Sequence, residues 1–101
     1  MIMTTEEKIT MYEWMLAHIN PIDCYICLLM SSYLRRIYPI DGLSVLTDQQ
    51  FKQFFPELYV FKPDHRTRGL CWWPEEGIEK RIDVLNTILK RLYDLEEEEY
   101  K

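Results

Sequence analysis

Hydrophobic and polar positions alternate with helical periods along most of this chain. Thr4-Thr5-Glu6-Glu7 has the spacing of a capping box, in which the Thr4 hydroxyl accepts from the Glu7 amide and the Glu7 carboxylate reaches back. Ile9, Tyr12, Leu16 and Ile19 then recur at three- and four-residue steps, with Trp14 and Met15 beside the stripe, and predict a first helix over residues 5–19. Asn20-Pro21-Ile22-Asp23 reads as a stop followed at once by a new start, because Pro21 suits a first helical turn and Asp23 its positive end. From Ile22 to Ile37 the stripe of Tyr25, Ile26, Leu29, Tyr33 and Leu34 is widened by Cys24, Cys27, Leu28 and Met30, so this second helix is expected to be the central and most buried one. Arg35 and Arg36 fall in its last turn, where cations complement the helix dipole, and Pro39 ends it.

Residues 39–46, with the Asp41-Gly42 turn signal, form a connection. Thr47 and Gln50 predict the cap of a short helix that carries Phe51, Phe54 and Phe55 inward before Pro56. Residues 58–61 fit a helical turn or a short extended piece. Residues 62–74 show no apolar period and contain two prolines and a glycine, the pattern of a long irregular surface loop. Pro74 is then expected to open the last helix, with Glu75 and Glu76 near its start and a stripe of Ile78, Ile82, Leu85, Leu89 and Leu92 widened by Val84, Ile88 and Leu95. Four consecutive glutamates, Glu96 to Glu99, oppose the dipole at its far end and repel one another, so fraying is expected beyond Leu95. The fold class is all-α: one domain over residues 1–101, built as a bundle of three main helices and one short helix, with residues 62–74 folded across one end.

Composition sharpens this picture. With 48% hydrophobic and 14% aromatic residues in 101, the chain has the material for a packed core. Its longest unbroken apolar run, residues 26–30, falls far short of the ~20 residues that span a bilayer. Glu6, Glu7 and Lys8 interrupt the apolar residues at the start, unlike a signal peptide, so the expected location is the cytoplasm. The net charge of −5 disfavours bulk DNA and anionic membranes as partners. The three cysteines, Cys24, Cys27 and Cys71, are an odd number and read as reduced thiols.

Two chemical constellations stay at the margin. Cys24 and Cys27 with Cys71 and either His65 or His18 make a drawable zinc set, but the pair lies inside an apolar helical run rather than on a tight turn. Cys71, His65 and Asp64 can be drawn as a triad, yet no nucleophile elbow, phosphate loop or helical histidine pair accompanies them. No catalytic residue, metal or cofactor is therefore assigned. The chemically distinctive stretch runs from Lys62 to Arg81. It contains Arg66, Arg68, Trp72 and Trp73, and Lys80 and Arg81 follow within the last helix. Guanidinium groups grip phosphate, indole faces stack on bases and a helix start attracts anions, so these six residues form the candidate ligand-binding set. The competing expectation is that the indoles seal the core while the cations are solvated.

The succession Tyr25-Ile26-Cys27, Phe55-Pro56-Glu57-Leu58, Lys62-Pro63, Cys71-Trp72-Trp73-Pro74 and Arg81-Ile82 with Leu85 resembles a family of small phage- and prophage-encoded proteins with no assigned activity. The likeness spans residues 22–92. What it implies is context: small phage accessory proteins block host factors or sequester nucleotide messengers of host defence, in the host cytoplasm. The expected function is non-enzymatic binding and sequestration of a small anionic, nucleotide-like ligand, with a homo-oligomer as a further expectation. The alternatives are a protein inhibitor of a host factor that uses the same Trp/Arg loop and, less favoured, a small hydrolase or zinc protein.

Overall fold

The Thr4 hydroxyl accepts from the Glu7 amide at 3.1 Å and the Glu7 carboxylate accepts from the Thr4 amide at 2.9 Å, so the capping box forms and starts α1, Thr5–His18. The computed structural model describes residues 3–22, 25–37, 48–61 and 77–99. They form α1, α2 (Ile26–Ile37), α3 (Asp48–Phe54), α4 (Pro56–Tyr59) and α5 (Ile78–Glu99), with no strand among the described residues. The fold is mainly helical, as the periodicity requires. Of residues 58–61, Leu58 and Tyr59 complete α4 and Val60 and Phe61 turn after it, and Pro56 occupies the first turn of α4, where its missing amide costs nothing. The connection at 39–46, the Thr47 cap, the Phe51 side chain and the loop at 62–74 lie outside the described residues.

Both long helices after α1 start later than their sequence signals. Asn20 and Pro21 do not open α2; the Asn20 side chain instead accepts from the Ile22 amide at 2.9 Å, a local turn that satisfies the amide without a helix, and α2 begins at Ile26. Likewise α5 begins at Ile78 rather than Pro74. Gly77 precedes it with φ 103°, a left-handed conformation that sets the helix start at this point, and its carbonyl accepts from the Arg81 amide at 3.1 Å. At its far end α5 remains helical through Glu99, four residues past the expected fraying point.

α1 has neighbours on three sides, while α2 keeps the larger buried share, five of its twelve residues against four of fourteen in α1 among the described side chains. The buried Ile9, Met11, Tyr12 and Met15 of α1 spread over a broad arc. On one side Thr5 donates to Glu99 at 2.8 Å and Tyr93 donates to Glu13 at 2.6 Å, a pairing order that makes α1 and α5 antiparallel. On the second, Trp14 meets Tyr33 and Arg36 of α2. On the third, Lys8 and Tyr12 hold Glu57 of α4. Buried side chains from all of these helices join one core, including Leu34, Phe55, Leu58, Leu85, Ile88 and Leu92, each contributing roughly 1.5–3 kcal/mol on burial. The radius of gyration, 13.1 Å, matches the ~13 Å of a compact domain of about 100 residues.

Candidate functional site

The buried stripe of α5 is Arg81, Val84, Leu85, Ile88, Leu89 and Leu92. Arg81 therefore occupies the first core-facing slot of the helix, four residues before Leu85 and seven before Ile88, and is only 5% exposed. A guanidinium there needs a flat, electron-rich neighbour, and the Tyr25 ring supplies it with its centroid 4.9 Å away. Tyr25 stands immediately before α2, so this contact joins the starts of α2 and α5. Lys80, one residue earlier and about 100° around the helix, is exposed. The first turn of α5 thus presents one solvent-facing ammonium and one inward guanidinium at the positive pole of a 22-residue helix. Arg66, Arg68, Trp72 and Trp73 lie outside the described residues, as do Cys24, Cys71, His65 and the Cys27 side chain.

Three further groupings have the residue types of a site. The Glu57 carboxylate takes the Lys8 ammonium at 2.8 Å on one oxygen and the Tyr12 hydroxyl at 2.8 Å on the other. Tyr12 is fully buried, and burial followed by the neighbouring Glu57 charge pushes its phenol well above the ordinary tyrosine range. A phenol so reluctant to ionise, with no exposed surface, acts as a tie between α1 and α4. Neither Tyr12 nor Glu57 stands out in the sequence, since the one lies in an apolar stripe and the other in a first helical turn.

At the junction of α1 and α2 the His18 ring stacks on Trp14 at 4.1 Å and 21°, while the Arg36 guanidinium lies 5.1 Å from the same indole. The His18 Nδ1–H donates to the Trp14 carbonyl at 2.8 Å. His18 and Trp14 are one helical turn apart, the spacing at which such a stack is legible beforehand. Arg36, expected only to complement the dipole, also covers an indole.

Between α1 and α5 runs an open groove of about 610 Å³, lined by Glu13, Leu16 and Ala17 on one side and Leu89, Lys90, Tyr93 and Asp94 on the other. Its charges are of both signs. The Tyr93 hydroxyl bridges it to Glu13, and that bond raises the phenol above its usual range, with burial adding to it. Among the described residues no three His, Cys, Asp or Glu side chains gather as metal ligands, and no helix is long and apolar enough to cross a membrane. Comparison with protein-family models, curated proteins and solved structures gives no match.

Proposed function

We propose that this protein is a non-enzymatic, phage-type accessory protein that binds and sequesters a small anionic, nucleotide-like ligand at the start of α5. The observation that supports the reading is Arg81, held by Tyr25 at a helix N-terminus where its charge is poorly hydrated and its orientation restricted. Lys80 adds an exposed cation beside it, and Arg66, Arg68, Trp72 and Trp73 precede it along the chain with the types that grip phosphate and stack on a base. The overall charge of −5 favours a compact anion held at one point over a polyanion that needs an extended basic face.

The test is thermal unfolding of the whole chain against cyclic and linear nucleotides. A ligand present at about 100 times its Kd stabilises by about 2.7 kcal/mol, a rise of several degrees in Tm. Lys80→Glu, on an exposed position, leaves the unliganded Tm unchanged and weakens binding by about tenfold. No nucleotide response across the panel sinks the reading.

A second reading, inhibition of a host protein by the same end of the molecule, is favoured by the exposure of Ile22 (85%) and Leu28 (56%) beside the start of α2. Ile22→Asp then abolishes capture of the host factor and leaves any nucleotide response intact.

A further inference from the structure

The opposite end of the molecule, where α1 begins and α2 and α5 finish, holds a cavity of about 190 Å³ lined by Met3, Glu6, Glu7, Thr10, Tyr33 and Ile37. Its lining divides in two. Met3 and Ile37 form an apolar wall, and the remaining four residues bring two carboxylates and two hydroxyls. Tyr33 is 8% exposed and lines the cavity. Burial and then the Glu7 charge raise the Tyr33 phenol above its ordinary range. The Thr10 hydroxyl spends its proton on the Glu6 carbonyl at 3.1 Å and so offers only lone pairs to the cavity.

Two helix ends near the cavity add negative charge, beside Arg35 and Arg36 in the last turn of α2. Ile37 is the last residue of α2, so the negative pole of that helix lies at the cavity wall. The bond from Thr5 to Glu99 brings the acidic end of α5 alongside the first turn of α1. Among the described residues that line the cavity none is cationic, and Arg36, in the same turn of α2, is turned onto Trp14. A bare divalent cation needs about six oxygen ligands, which a cavity half lined by Met3 and Ile37 does not surround it with. A group with a single positive head and a short apolar stem matches both halves, and the volume equals that of about six waters at ~30 Å³ each.

We propose that this cavity binds a primary alkylammonium group, its methylenes against Met3 and Ile37 and its three N–H donors among Glu6, Glu7 and the Thr10 and Tyr33 hydroxyls. A lysine side chain on a basic protein surface and a free polyamine share that chemistry. The site lies at the far end from Arg81 and is independent of the anion-binding reading.

The experiment is an NMR titration of the ¹⁵N-labelled full chain at constant ionic strength with two probes, 1,5-diaminopentane and a trilysine peptide, and with ε-acetylated trilysine as control. Saturable shifts at the amides of Glu6, Thr10, Tyr33 and Ile37 with either amine, and none with the acetylated peptide, support the site. A response to the peptide alone assigns it to a lysine of a protein partner, and a response to the diamine alone assigns it to a polyamine. Glu6→Gln and Ile37→Arg, both at exposed positions, each weaken the saturable response by about tenfold, the first by removing a charged acceptor and the second by filling the cavity with its own cation. Absence of saturable shifts with both amines, or shifts that persist unchanged in Ile37→Arg, overturns the proposal.

Discussion

Single residues decide how this bundle is tied. Tyr12 lies in an apolar stripe and contributes ring area like its neighbours, yet its hydroxyl, with Lys8, completes a buried carboxylate on another helix. Tyr12→Phe keeps the ring and leaves one Glu57 oxygen without its donor, so unfolding titrations should show a loss of about 1–3 kcal/mol. The same bond makes stability depend on alkaline pH. Because the folded phenol holds its proton more tightly than the unfolded one, the stabilisation is complete below about pH 10, the unfolded tyrosine value, and declines as pH rises toward the folded value. Circular dichroism of wild type should therefore show stability falling above about pH 10, and Tyr12→Phe should flatten that fall. Arg81 illustrates a complementary lesson. The stripe expected from the sequence runs through Ile78 and Ile82 and leaves Arg81 among the ligand-binding candidates, whereas in the fold Arg81 is the buried residue, in phase with Leu85, Ile88 and Leu92 and covered by the Tyr25 ring.

At the scale of elements, helix bodies follow the sequence closely and their ends do not. α1 starts at the residue its capping box names, because both capping partners are local. α5 starts at a glycine with positive φ rather than at the preceding proline, and a side chain at Gly77 would meet no atom within 4 Å. The cost of Gly77→Ala is therefore backbone strain alone, about 1–2 kcal/mol in thermal or urea unfolding. A null effect there would mean that the helix start is not held in this conformation. The far end of α5 reverses another local expectation. Glu96 to Glu99 oppose their own helix dipole, but the antiparallel partner places the positive pole of α1 beside them and Thr5 donates to Glu99. A neighbour more than ninety residues away in sequence supplies what the local sequence withholds.

For the molecule as a whole, the position of α1 organises everything else. The apolar stripe of α1 is weaker than that of α2, and its contacts with α5, α2 and α4 are made by buried apolar residues together with polar side chains such as Thr5, Lys8 and Glu13. Met15, fully buried on α1, tests the arrangement: Met15→Ala should cost about 2–5 kcal/mol, in the range of core truncations, whereas Ala substitution at the exposed Leu28 of α2 should change stability by less than about 0.5 kcal/mol. The antiparallel packing also sets where charge lies. Lys80 and Arg81 sit with Glu79 at the end where α5 begins, and Glu6, Glu7 and Glu96 to Glu99 lie with Arg35 and Arg36 at the other, so both ends carry charges of both signs.

The helical class, the positions of most helix bodies and the capping box follow from the sequence by itself, because they depend on periods and on partners within about four residues. The starts of α2 and α5 are also set locally, by the Asn20–Ile22 turn and by Gly77, which the proline signals mask. Which helices meet, why the glutamate run stays helical and why Arg81 is buried were decided only in three dimensions, each by a group distant in sequence: Glu57 for Tyr12, Glu99 for Thr5 and Tyr25 for Arg81. Local periodicity specifies the faces of helices, and packing alone specifies what each face meets.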